Sequence, residues 1–168
     1  MTDGLIDAVL RWAHVGGALV WIGHNYANFI SRPHFVPFAG EAVAVDPSGN
    51  DFQARLSREH GTFRWASLLV WCTGLAMLWR AGLVADALSL RGAAVPIGLG
   101  FWIGTVMVLN LWLVLWPHQK KVLGFVSAPL EERARCSRVT FLSARVNTML
   151  SIPLLFLMVA GAHGLLLD

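Results

Sequence analysis

Residues 92–119 read GAAVPIGLGFWIGTVMVLNLWLVLWPHQ and contain no Asp, Glu, Lys or Arg. A helix needs about 20 mostly apolar residues to cross the hydrocarbon core of a bilayer, and this run is longer than that. Residues 12–31 and 146–167 are also free of charge. A shorter run, 65–79, lies between Arg64 and Arg80. Long basic side chains can reach along a helix to the interface, so this run extends to a span of about 62–84. The expectation is an all-α, integral membrane four-helix bundle. It forms one domain over 1–168, with spans at about 8–30, 62–84, 94–116 and 146–167.

Composition agrees. The chain is 56% hydrophobic and 14% charged, more apolar than soluble domains usually are. The net charge of +3 does not call for nucleic acid, because the basic residues are distributed as membrane topology requires. Ten Lys and Arg flank the 32–61 and 117–145 loops, against Arg11, Arg80 and Arg91 on the other side. The positive-inside rule then puts both loops in the cytoplasm and both termini outside. The expected location is the inner membrane of a bacterium, with lipid as a partner and the termini on the periplasmic side. The first apolar run is too long for a signal-peptide core and reads as a retained helix. The Pro-rich stretch 33–51 reads as an ordered cap or docking loop, and 129–138 as a polar helical lead-in to the fourth span.

Histidines carry the chemistry. In the first span His14, Gly17, Trp21, His24 and Asn28 follow a 3-4-3-4 spacing, one seam of a bundle helix. In the fourth, Arg145, Thr148, Ile152, Phe156, Val159 and His163 share a face, with Pro153 as a kink. With both termini on one side, His14 and His163 lie at matching depth. Two neutral imidazoles at one level of a small bundle are suited to clamping a haem iron from both faces. On the opposite side His24, His60 and His118 compete for a second haem, of which His24 and His60 are the better pair. Arg64, one turn from His60, and Arg145 are candidates for its propionates, or else anchors to lipid phosphates. His34, between Pro33 and Phe35, reads as a loop residue. No C-x-x-C-H occurs, so the expected haem is b-type, one copy or two. No Cys/His/carboxylate cluster argues for zinc.

Several stretches resemble the membrane domain of the bacterial membrane-bound urate oxidase family. They are Arg11-Trp12-Ala13-His14, Val20-Trp21-Ile22-Gly23, Phe63-Arg64-Trp65-Ala66 and Asn110-Leu111-Trp112. Trp116-Pro117-His118-Gln119-Lys120-Lys121, Ser143-Ala144-Arg145-Val146-Asn147-Thr148 and Leu150-Ser151-Ile152-Pro153 complete the set. The resemblance implies a redox membrane module that passes electrons toward cytochrome c. His24 and His118 depart from the family pattern, which weakens urate chemistry and leaves the electron carrier intact. A looser likeness is to the small haem-b protoporphyrinogen oxidases, which also place a His early in the first span. The leading expectation is a haem-b membrane subunit that carries electrons between a dehydrogenase or oxidase subunit and cytochrome c. The alternatives are a small membrane oxidase acting on a porphyrinogen or urate, and a haem-free accessory subunit whose histidines only form hydrogen bonds.

Overall fold

The computed structural model describes residues 2–37 and 50–164, with side chains described for 3–37 and 61–164. Its elements are helices throughout, and no strand occurs among the described residues. They are α1 (Thr2–Ser31), α2 (Asn50–Arg80), a short α3 (Val84–Ser89), a 3-10 turn at Gly92–Ala94, and α4 (Val95–Leu109). A π-helical turn at Asn110–Leu115 follows, then α5 (Trp116–Val122) and α6 (Leu130–His163). α4, the π turn and α5 run on without a break. Four long helical segments result, and α1 packs on α2 and α6, α2 on α4, and α4 on α6.

Helix ends differ from the sequence reading for local reasons. α2 stops at Arg80, short of residue 84, because Gly82 takes a left-handed φ of 70°. Leu83 N–H then reaches back to Leu78 O (3.0 Å) and Gly82 N–H to Trp79 O (3.0 Å). This double back-bond satisfies carbonyls that the helix end would leave open. α6 also ends on a left-handed glycine, Gly164 at φ 67°, whose N–H bonds Ala160 O. It begins at Leu130, so the polar lead-in is helix from there on, with Cys136 buried within it. α2 likewise starts at Asn50, well before the apolar run. Most of the expected cap at 33–51 lies outside the described residues.

Three helices among the described residues are long and apolar enough to cross a membrane: Asp3–Ser31, Gly92–Val122 and Leu130–His163. α2 falls short. Arg64, Ser67, Thr73 and three tryptophans dilute its apolar run, and it makes up for this by packing inside the bundle. Phe63, Ala66, Ser67, Val70, Thr73 and Leu78 are all buried. The main core joins Phe63, Ala66 and Val70 to Trp21, Ile22, Met107, Leu111 and Leu154, while Leu78 packs in a second cluster with Ala87, Ala94 and Phe101.

Candidate functional site

α1 and α2 run antiparallel, and their terminal end is fastened by charge. Arg80 Nε donates to Asp7 Oδ1 at 2.5 Å, and Arg80 Nη2 lies 3.7 Å from Asp3 Oδ1. Two turns further in, the His14 ring lies against α2. Its Nδ1 is 3.0 Å from Val70 O and 3.1 Å from Thr73 Oγ1. A carbonyl oxygen can only accept, and the Thr73 hydroxyl spends its own proton on Leu69 O at 2.6 Å. Nδ1 therefore carries the hydrogen, and Nε2 keeps a lone pair. Gly74 makes the approach possible, since a Cβ there would stand 3.2 Å from His14 Cε1.

His163 has the same tautomer by the same logic. Its Nδ1 donates to Val159 O at 2.9 Å, one turn back on its own helix. The contact of Ser151 Oγ with Tyr26 OH (3.3 Å) sets the register of α6 against α1. His14 lies twelve residues before Tyr26 and His163 twelve after Ser151. Both are thus displaced toward the terminal end of the bundle, by roughly 15–20 Å. They do not face the same way. His14 is half-buried and turned to α2. His163 is exposed, in line with Ile152 (61% exposed), Phe156 (61%) and Val159 (55%). Of the expected face of α6, only Thr148 is buried deeply in the bundle.

At the loop end, His24 stacks on Phe63 with ring centroids 4.1 Å apart and planes 5° from parallel. It is half-buried, whereas its neighbour Asn25 is 5% exposed and occupies the seam. The sequence spacing had put His24 there. A straight helix advances by about 3.6 residues per turn, so three turns on from His14 the inward position falls nearest residue 25 rather than 24. His60 belongs to α2, but its side chain lies outside the described residues. His118 Nδ1 bonds Val114 O at 2.6 Å on its own helix.

Both arginines are held by aromatic rings. The Arg64 guanidinium lies 3.7 Å from the Trp116 ring centroid and 5.2 Å from that of Trp112. Trp112 Nε1 in turn donates to Ser67 Oγ at 3.3 Å. Arg145 sits between Phe29 (4.4 Å) and Phe141 (4.6 Å) and donates to Arg32 O. Such stacking satisfies the flat faces of a guanidinium and leaves its edges to acceptors. Beside Arg145 opens a cavity of about 600 Å³, lined by His24, Asn25, His34, Phe63, Gln119 and Thr140 among others. His34 thus joins His24 at this cavity, which its loop position in the sequence did not suggest.

The sequence reading passed over the polar residues in the middle of the bundle. Asn110 Nδ2 donates to Ser143 O (3.0 Å) and Asn147 Oδ1 (2.8 Å). Ser143 Oγ donates to Asn110 Oδ1 (2.9 Å), and Asn147 Nδ2 to Met107 O (3.2 Å). Ser143 and Asn147 are 5% and 1% exposed. Their signal was visible as three polar residues inside apolar runs, which is costly in hydrocarbon unless they pair.

The donor set suits an axial haem pair in its chemistry. Both rings fix Nδ1–H on a backbone carbonyl, the usual arrangement behind a metal-binding Nε2. No group of three or more His, Cys, Asp or Glu gathers among the described residues as a metal cage would need. Searches of curated proteins and of solved structures found no match. The protein family described as urate oxidase N-terminal matches residues 66–167. That is more than half of the chain, and it takes in α3, α4, the π turn, α5, all of α6 and most of the apolar run of α2: the chain belongs to the urate oxidase N-terminal family.

Proposed function

We propose that this protein is a haem-b-binding membrane subunit that carries electrons between a redox partner and cytochrome c or a respiratory complex. In this reading all four long helical segments cross a bacterial inner membrane and both termini lie on its outer side. The observation that carries the reading is the state of the two histidines. His14 and His163 both lie toward the terminal end of the bundle, each with Nδ1 committed to a carbonyl and Nε2 holding a free lone pair. A haem iron with two imidazole ligands changes oxidation state with little rearrangement and keeps no open position for oxygen. The chain's own part is to hold the rings. Val70 O and Thr73 Oγ1 fix the rotation of His14, and Gly74 gives it room against α2. Family membership supports a redox setting, and the departures at His24 and His118 favour electron carriage over urate oxidation.

Pyridine haemochrome analysis of the purified chain tests this directly. The expected result is a red protein with a reduced-minus-oxidised b-type spectrum, lost or turned high-spin in His14→Ala and His163→Ala. A colourless protein from haem-replete cells refutes it. One observation favours a second reading, a haem-free accessory subunit. The His14 hydrogen bonds to α2 are complete in themselves and would serve a purely structural histidine. Orientation is tested separately. A C-terminal alkaline phosphatase fusion is expected to be active, and an inactive fusion reverses the topology.

A further inference from the structure

The loop-end cavity is not used by the reading above. Its volume of about 600 Å³ lies within the roughly 300–1,000 Å³ of small-molecule sites. Three features define what it accepts. First, no Asp or Glu lines it among the described residues, while amide, imidazole and hydroxyl groups do. Second, one of the lining residues has a donor to spare. Asn25 is 5% exposed and its Nδ2 has no hydrogen-bond partner, a costly state for a buried donor. An acceptor oxygen brought to Asn25 removes that cost. Third, the walls are aromatic and aliphatic. Phe63 carries the His24 ring flat against it, Phe35 and Phe141 meet at 5.5 Å, and Leu115 and Val122 extend the apolar surface.

Charge narrows the ligand further. Arg145, packed beside the cavity, already spends its guanidinium on two phenyl rings and the Arg32 carbonyl. Arg32 does line the cavity and, like Asn25, offers donors to an acceptor oxygen, so the lining asks for a planar, carbonyl-bearing ring with an apolar extension. We infer that the loop-end cavity binds a quinone headgroup, with a carbonyl oxygen accepting from Asn25 and the ring between the aromatic walls. A soluble oxopurine is the competing flat ligand. It carries several N–H groups that need acceptors and nothing to cover Leu115 and Val122, so the apolar part of the cavity disfavours it.

The test uses the full chain in lipid nanodiscs, titrated calorimetrically with decylubiquinone, and separately with xanthine. One saturable quinone site is expected, with no heat from xanthine. Asn25→Leu removes the donor, and Thr140→Phe fills the cavity from α6. Each is expected to weaken binding by about tenfold or more, the worth of one good hydrogen bond or of lost volume. Leu19→Ala, on an outward face far along α1 (71% exposed), is expected to leave binding unchanged. If Asn25→Leu does not fold, Thr140→Phe decides alone. Absence of a saturable site, binding that ignores both substitutions, or xanthine displacing the quinone overturns the inference. Haem-free preparations are expected to bind equally well, so failure here is distinct from failure of the electron-carrier reading.

Discussion

The α4–α6 seam and the inward face of α1 are both polar stretches inside an apolar bundle, and they are finished differently. In the seam, Asn110, Ser143, Asn147 and the Met107 carbonyl close a ring of hydrogen bonds. On α1, Trp21 Nε1 and Asn25 Nδ2 lie one turn apart, both buried and both without a partner. A closed network explains itself, because it satisfies its own polar groups while joining two strongly apolar helices. An open donor does not, and it points to a ligand or an ordered water. The contrast separates polar residues that hold the fold from those available for function, although all are equally conspicuous in the sequence.

The contrast can be broken at the seam. Asn147→Leu strips Asn110 and the Met107 carbonyl of a partner together, and is expected to cost about 2 kcal/mol. Unfolding in mixed micelles with rising dodecyl sulfate measures this, and a cost near zero would deny the seam its structural role. A smaller effect is expected at Gly74. Gly74→Ala places a methyl 3.2 Å from His14 Cε1, tighter than ordinary contact, so the ring must shift by a few tenths of an ångström. Stability is expected to fall by about 1 kcal/mol, with any b-type spectrum broadened. A spectrum and melting temperature matching the parent chain would show that His14 does not depend on the notch. The smallest effect is expected at Trp21→Phe, which removes an unpartnered N–H and keeps most of the ring. It is expected to be neutral within about 0.5 kcal/mol or slightly stabilising. A loss above about 1 kcal/mol would mean that Nε1 is in fact satisfied, and the two regions would no longer differ.

The long helices were legible because residues 12–31, 92–119 and 146–167 carry no charge at all, a signal that hardly depends on packing. The second long helix was legible only as a short run, since Arg64 and Ser67 interrupt it, and both turn out to be engaged with Trp112 and Trp116 or with a backbone carbonyl. Which face points inward was much harder to read. In a soluble bundle polarity marks the outside, but here outward-facing and core residues are alike apolar, so the stripe from Ile152 to His163 looked interior and is exposed. The exchange of His24 for Asn25 has a simpler origin in the small mismatch between heptad spacing and a straight helix. His34 could not be connected to the first helix, because its place at the cavity depends on how the chain turns after Arg32.

The π-helical turn at Asn110–Leu115 acts as a phase shifter. Its carbonyls bond five residues ahead rather than four, so the turn holds roughly one residue more than an α-turn and rotates everything after it by about 100°. Pro117, which has no N–H to continue the ladder, stands two residues after its end. Without the extra residue, the surface of Trp116, His118 and Lys120 would be indexed to the same faces as Val95–Leu109, and Trp116 would swing away from Arg64. The guanidinium would then lose its closest ring, now 3.7 Å away. A single-residue deletion between 110 and 115 is thus a rotation applied to half a helix, and the loop-end face of the molecule is set by a count of residues as much as by their kind.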